Sequence, residues 1–119
     1  MIRIPQHRQD EKLNDLNSFI HDLESIQRKV DYWKVSIEEC IGSGSQALEE
    51  LTKNTTKLSP QAFESMCYCI SQTIDGEFKA YIGNKEIVSL VAVDSTYWEI
   101  DGSEEFEQRM LSKYGEFNG

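Results

Sequence analysis

Residues 75–100, DGEFKAYIGNKEIVSLVAVDSTYWEI, restrict the fold more than any other stretch, because their side chains alternate as a sheet requires. Phe78, Ala80 and Ile82 fall on every second position with Lys79 between them, the pattern of a half-buried strand. Gly83-Asn84-Lys85 then supplies turn chemistry, since Gly and Asn tolerate positive φ. Residues 87–93 follow as a nearly unbroken β-branched and aliphatic run, as in a central strand covered on both faces. Asp94-Ser95-Thr96 turns the chain once more into a third strand, residues 97–100. A meander of three antiparallel strands is the economical expectation; the rival is one bent strand over 87–100 with a bulge near Ser95.

Helices are expected ahead of this sheet. Asp10 can cap a first helix, with Glu11 placed favourably in its first turn. Leu16, Phe19, Leu23, Ile26, Val30, Trp33, Ile37 and Cys40 recur at spacings of three and four, which predicts one long helix ending at Gly42-Ser43-Gly44. Trp33, Val35, Ile37 and Ile41 also fit a strand begun at Asp31, but the heptad register favours the helix. Such heptads suit a coiled-coil homodimer or, more plainly, an amphipathic helix lying on its own core. Residues 1–9 read as an edge strand or a frayed arm. Ser45 can cap a short helix over 46–51, and 52–58 reads as a loop. Ser59-Pro60 opens another helix, with a capping hydroxyl and then proline at the first helical position. Phe63, Met66, Cys67, Ile70 and Ile74 share one face of it, and Asp75-Gly76 stops it. Asp101-Gly102-Ser103 opens a last helix that buries Phe106, Met110 and Leu111 and ends at Gly115. The expected fold is a single α+β domain, residues 1–119. Its N-terminal and central helices (about 10–74) pack on a three-stranded antiparallel meander that leads into a C-terminal helix (meander and helix about 77–115).

The 119 residues suit one core. No apolar run approaches the roughly 20 residues of a membrane span. The N-terminal residues lack the apolar centre of a signal peptide, which predicts a cytoplasmic protein. Three cysteines without such a signal argue against a disulfide framework and for buried free thiols. Cys67 and Cys69 would point to different sides of a helix, and His7 and His21 are far away, so no metal site and no cofactor are expected.

Charge says more. The formal net charge is −9, and residues 75–107 hold nine acids against Lys79 and Lys85, a net of −7. Such a surface repels its own kind and attracts basic partners. Nucleic acid is disfavoured, since phosphate binding calls for a basic face.

No catalytic constellation stands out. Gly42-Ser43-Gly44 lacks the lysine of a phosphate loop, and neither histidine adjoins a cysteine. Asp75 with Glu77, or Asp94, Glu99 and Asp101 gathered at one end of the sheet, could do acid–base work if one carboxyl were raised by burial. Turn and cap chemistry already accounts for each Asp. In Tyr97-Trp98 one ring faces the core and the other faces out, where it could anchor an interface. The expected docking set is Glu77, Asp94, Tyr97, Trp98, Glu99, Asp101, Glu104 and Glu105. In size, acidity and lack of catalytic motifs, the profile is similar to that of small bacterial immunity proteins, which shield a producing cell from a nuclease or other toxin. That likeness implies a basic protein partner such as a toxin domain; the charge argues against nucleic acid, and the lack of a long apolar run against a membrane. The alternatives are a small enzyme or ligand-binding domain using the carboxylates, and an adaptor or assembly subunit pairing through the heptads.

Overall fold

The computed structural model describes residues 1–10, 12–26 and 29–119. Along the chain lie β1 (Ile2–Pro5), α1 (Leu16–Ile26), β2 (Tyr32–Gly42), α2 (Ser45–Leu51) and β3 (Thr56–Leu58). After them come α3 (Pro60–Cys69), β4 (Ile70–Ile82), β5 (Lys85–Val93), β6 (Tyr97–Asp101) and α4 (Glu104–Tyr114). The strands pair antiparallel throughout in one six-stranded sheet, ordered β1-β6-β5-β4-β2-β3. The expected meander is therefore only its middle, and the three-stranded architecture is corrected to six strands.

The three further strands are β1, from the stretch read as an edge strand or a frayed arm, β3, from one read as a loop, and β2. Two stretches expected to be helical are strand instead, and β2 is the first. Trp33, Val35 and Ile37 alternate with Lys34 and Ser36 in β2, and the alternation wins because β2 pairs with β4 on one side and β3 on the other. The long heptad helix does not exist. Helix α1 is a separate element, begun by Asp15, whose side chain accepts from the Ser18 N–H and whose carbonyl accepts from the Phe19 N–H. Asp10 instead accepts from the Lys12 N–H in a turn ahead of the helix, and Glu11 lies outside the described residues. A coiled-coil homodimer through residues 10–40 loses its basis.

The second stretch follows α3. Ser59 caps that helix by accepting from the Ala62 N–H, as expected, but the helix ends at Cys69 and Ile70 and Ile74 belong to β4. Gly76 does not stop a helix; it sits inside β4, opposite Ile37. A Cβ there would lie 3.1 Å from Thr73 Cγ2 and 3.2 Å from the Ser36 carbonyl oxygen, so the neighbouring strand comes close only because glycine has no side chain. The stretch expected as a loop after α2 contains β3, the short edge strand beside β2.

Helices α1, α3 and α4 cover one face of the sheet. An aromatic spine runs through that layer: Trp33 stacks on Phe63 at 3.9 Å, Phe63 leans on Phe78, Phe78 on Trp98, and Trp98 meets Phe19 edge-on at 5.1 Å. The helix layer and the sheet together give a slab of 32 × 31 × 19 Å. That thickness accommodates one sheet and one layer of helices, so among the described residues no helix is stacked on the second face of the sheet, where Phe117 of the tail lies on Tyr97. Among the described residues no helix is long and apolar enough to cross a membrane.

Candidate functional site

The outward face of the sheet follows from the pleat. In β4 Phe78 and Ala80 turn their side chains to the core, in step with the buried Gly76, which leaves Asp75, Glu77, Lys79 and Tyr81 on the other side. In β2 the same alternation leaves Tyr32, Lys34 and Ser36 outward. The register then assembles rows across strands. One row places Arg3 beside Glu99, Val91, Glu77 and Ser36 in succession, and the next places Asp101 beside Ser89, Lys79, Lys34 and Lys57. Charge is thus divided along the strand direction.

At one end the carboxylates gather. A bulge in β2 between Ile37 and Glu39 leaves Glu38 without a partner in the ladder and exposed beside Asp75 and Glu77. With Ser36, Gly76, Val91, Ala92 and Val93 these three acids line a shallow groove of about 300 Å³. Asp75 has a structural duty as well, since it accepts at 2.8 Å from the Asp94 N–H and so ties β4 to the β5–β6 turn.

The other end is basic and aromatic. Tyr32 and Tyr81 stack in parallel at 5.1 Å, with the Lys57 ammonium 4.0 Å from the Tyr32 ring centre and the Lys34 ammonium 4.9 Å from that of Tyr81. Lys79 reaches Glu86 at 3.6 Å. Three lysines therefore stand in register across β3, β2 and β4.

The residues expected to dock a partner are only partly brought together. Glu77 and Glu99 flank Val91 on the outward face, although Arg3 lies 3.9 Å from Glu99. Asp94 sits in the turn before β6, whereas Asp101 ends that strand and Glu104 and Glu105 open α4, so these acids lie at opposite ends. Asp94, Glu99 and Asp101 do not converge as an acid–base site would require. Trp98 cannot be an exposed anchor: it is 1% exposed, with its indole N–H donating to the Asn14 carbonyl at 3.2 Å. Tyr97 takes the outward place but is covered, because Phe117 stacks on it at 4.8 Å and Arg3 lies over its ring.

Two features of the face were missed in the sequence. Glu38 falls within the stretch expected as one long helix, so its place beside Asp75 and Glu77, themselves legible as a carboxylate pair, does not show in the sequence. The lysine row is invisible until β2, β3 and β4 are paired, because its members stand 22 or more positions apart.

Elsewhere the titratable groups serve the core. Burial pushes the Cys67 thiol well up, with Asp15 and Glu64 adding to it, and burial with the nearby Glu49 raises Cys40. Cys69 is exposed, contrary to the expectation of three buried thiols. Among the described residues no group of three or more histidine, cysteine, aspartate or glutamate side chains is placed to hold a metal ion. Comparison with protein families, with curated proteins and with solved structures finds no match.

Proposed function

We propose that the chain is a protein-binding domain that docks a basic partner on the uncovered face of its sheet, at the acidic end formed by Glu38, Asp75 and Glu77. The observation that supports this most is the groove in which those three carboxylates stand around Val91 and Val93. Apolar floor with a charged rim is the usual anatomy of a docking patch, and like charge in the rim draws cationic side chains at long range. An inhibitor of immunity type, neutralising a cationic protein such as a nuclease toxin, is the most specific form of this reading. The patch differs from the one expected in sequence: it keeps Glu77 and replaces the members on β6, α4 and the β5–β6 turn with Glu38 and Asp75.

Titrating the protein with a lysine-rich decapeptide, followed by amide NMR shifts, tests it. Shifts should concentrate at Ser36, Glu38, Asp75, Glu77 and Val91, and should fade as salt rises. They should also vanish in Glu38→Lys/Glu77→Lys. Equal perturbation of Glu104 and Glu105 would show mere attraction to net charge and would sink the reading.

A further inference from the structure

The lysine row poses a separate question. Side chains of like charge directly opposite one another across strands are unfavourable. Yet Lys57, Lys34 and Lys79 face each other in succession, in a chain with 21 acids available to separate them. Neither Lys34 nor Lys57 belongs to an ion pair among the described residues. Lys79 has Glu86 at 3.6 Å, while Lys34 and Lys57 lie over the Tyr81 and Tyr32 rings, so the row keeps a net positive charge that an anionic partner would meet.

The row spans two strand spacings, roughly 10 Å. A nucleic-acid strand would leave it almost at once and run onto Glu77 or Glu86. The anion must therefore be short, discrete and accompanied by cations that satisfy the neighbouring acids. One surface meets that description, namely the same face of another molecule.

We propose that the uncovered sheet face is self-complementary and pairs two copies of this chain. Consider a two-fold axis lying between the sheets, running across the strands between the levels of Glu77 and Lys79. It turns each strand end for end while keeping β4 over β4 and β2 over β2. Glu77 of one copy then meets Lys79 of the other, and Lys34 approaches Ser36 and Glu38. At β6 the same rotation sets Glu99 against Asp101, a like-charged contact that Arg3, 3.9 Å from Glu99, partly offsets. Asp75 and Glu38 come over the Tyr81 and Tyr32 rings with their lysines. Every contact occurs twice, as an isologous interface demands. The uncovered face of a slab 32 × 31 Å in plan can hold the ~800 Å² per partner of a standard interface. Two sheets stacked this way would form a sandwich with helices on both outer sides. The net charge of −9 on each chain opposes approach, but charges on the helix side lie beyond the ~8 Å screening length at physiological salt. This pairing and the docking of a basic partner use one face and exclude each other.

Charge swapping decides the matter, with sedimentation velocity as readout. The wild-type chain at a few hundred micromolar should sediment at twice 13.7 kDa. Glu38→Lys/Glu77→Lys should bring lysines against lysines and run as a monomer, and Lys34→Glu/Lys79→Glu should do the same with acids. An equimolar mixture of the two variants should recover the dimer. The exchanged groups sit on the uncovered sheet face, and far-ultraviolet circular dichroism checks that each variant is folded. A monomeric wild type, variants that still dimerise, or a mixture that stays monomeric would each overturn the pairing. A monomeric wild type that still binds the lysine-rich peptide would overturn the pairing alone and leave the docking proposal standing.

Discussion

Tyr114 shows how one residue sets the behaviour of the helix layer. Its hydroxyl donates at 2.7 Å to Asp22, a carboxylate on α1 that also receives Lys113 at 3.0 Å, and its ring meets Phe19 edge-on. Burial, reinforced by the bond to Asp22 and its charge, pushes the phenol well above its ordinary value. The sign follows from proton counting. In alkali the unfolded chain releases this proton first, while the folded state still holds it, so the unfolded state binds fewer protons and stability falls as pH rises. The effect is absent below the ordinary phenol value near 10 and grows above it. Cys67, raised mainly by burial, acts with the same sign from a lower pH. The urea midpoint should therefore be flat from pH 7 to 8 and fall steadily towards pH 11. In Tyr114→Phe that fall should be shallower, although the variant starts lower because Asp22 loses a bond of about 1–3 kcal/mol. An equally steep fall in the variant would contradict this account.

Elements with strong local signals were legible, and elements decided by their neighbours were not. The Ser59-Pro60 start of α3 and the Ser103 start of α4 stand where their capping chemistry puts them, because a cap is settled within four residues. The β4–β5–β6 meander was legible for the same reason: its turns are short and its alternation is clear. β2 was not, since Trp33 and Ile37 satisfy a period of 3.5 and a period of 2 together, and only pairing with β3 and β4 decides between them. The outward face shared this fate, because rows across strands depend on register between distant segments. The turn that closes the meander carries strain that is open to test. Asp94 and Ser95 both have positive φ, 49° and 53°, as a type I′ turn needs, and the Thr96 N–H donates to the Val93 carbonyl at 2.9 Å. Aspartate tolerates this region; serine gains little from it. Ser95→Gly should therefore stabilise the protein by about 0.5–1 kcal/mol, seen as a rise of several degrees in Tm. A lower Tm would mean that Ser95 contributes something the strain argument omits.

At the scale of the molecule, the sheet is finished by segments from opposite ends of the sequence. β1 pairs with β6, bringing Ile2 opposite Ile100, and Ile4 is wholly buried beneath the helices. Just beyond β1, Gln6 donates to the Thr73 carbonyl at 2.7 Å and accepts from Gln72 at 2.9 Å, which binds this end of the chain to the start of β4. The Phe117 N–H then donates to the Arg3 carbonyl, so the last residues lie along β1 and cap the edge that β1 would otherwise present. These contacts span most of the chain, so each closes a long loop at an entropic cost that local pairing in the middle of the sheet avoids. Their worth should be unequal. Removing residues 1–6 deletes a buried isoleucine and the glutamine network, and it leaves β6 as a bare edge. This should cost at least about 3 kcal/mol and promote aggregation. Removing residues 116–119 deletes one backbone bond and one ring stack, and should cost about 1–2 kcal/mol. Urea unfolding of the two truncations side by side measures the difference. If both lose equally little, β1 is an appendage and the sheet closes at β6; a large loss confined to the first truncation makes β1 the strand on which the cooperative unit depends.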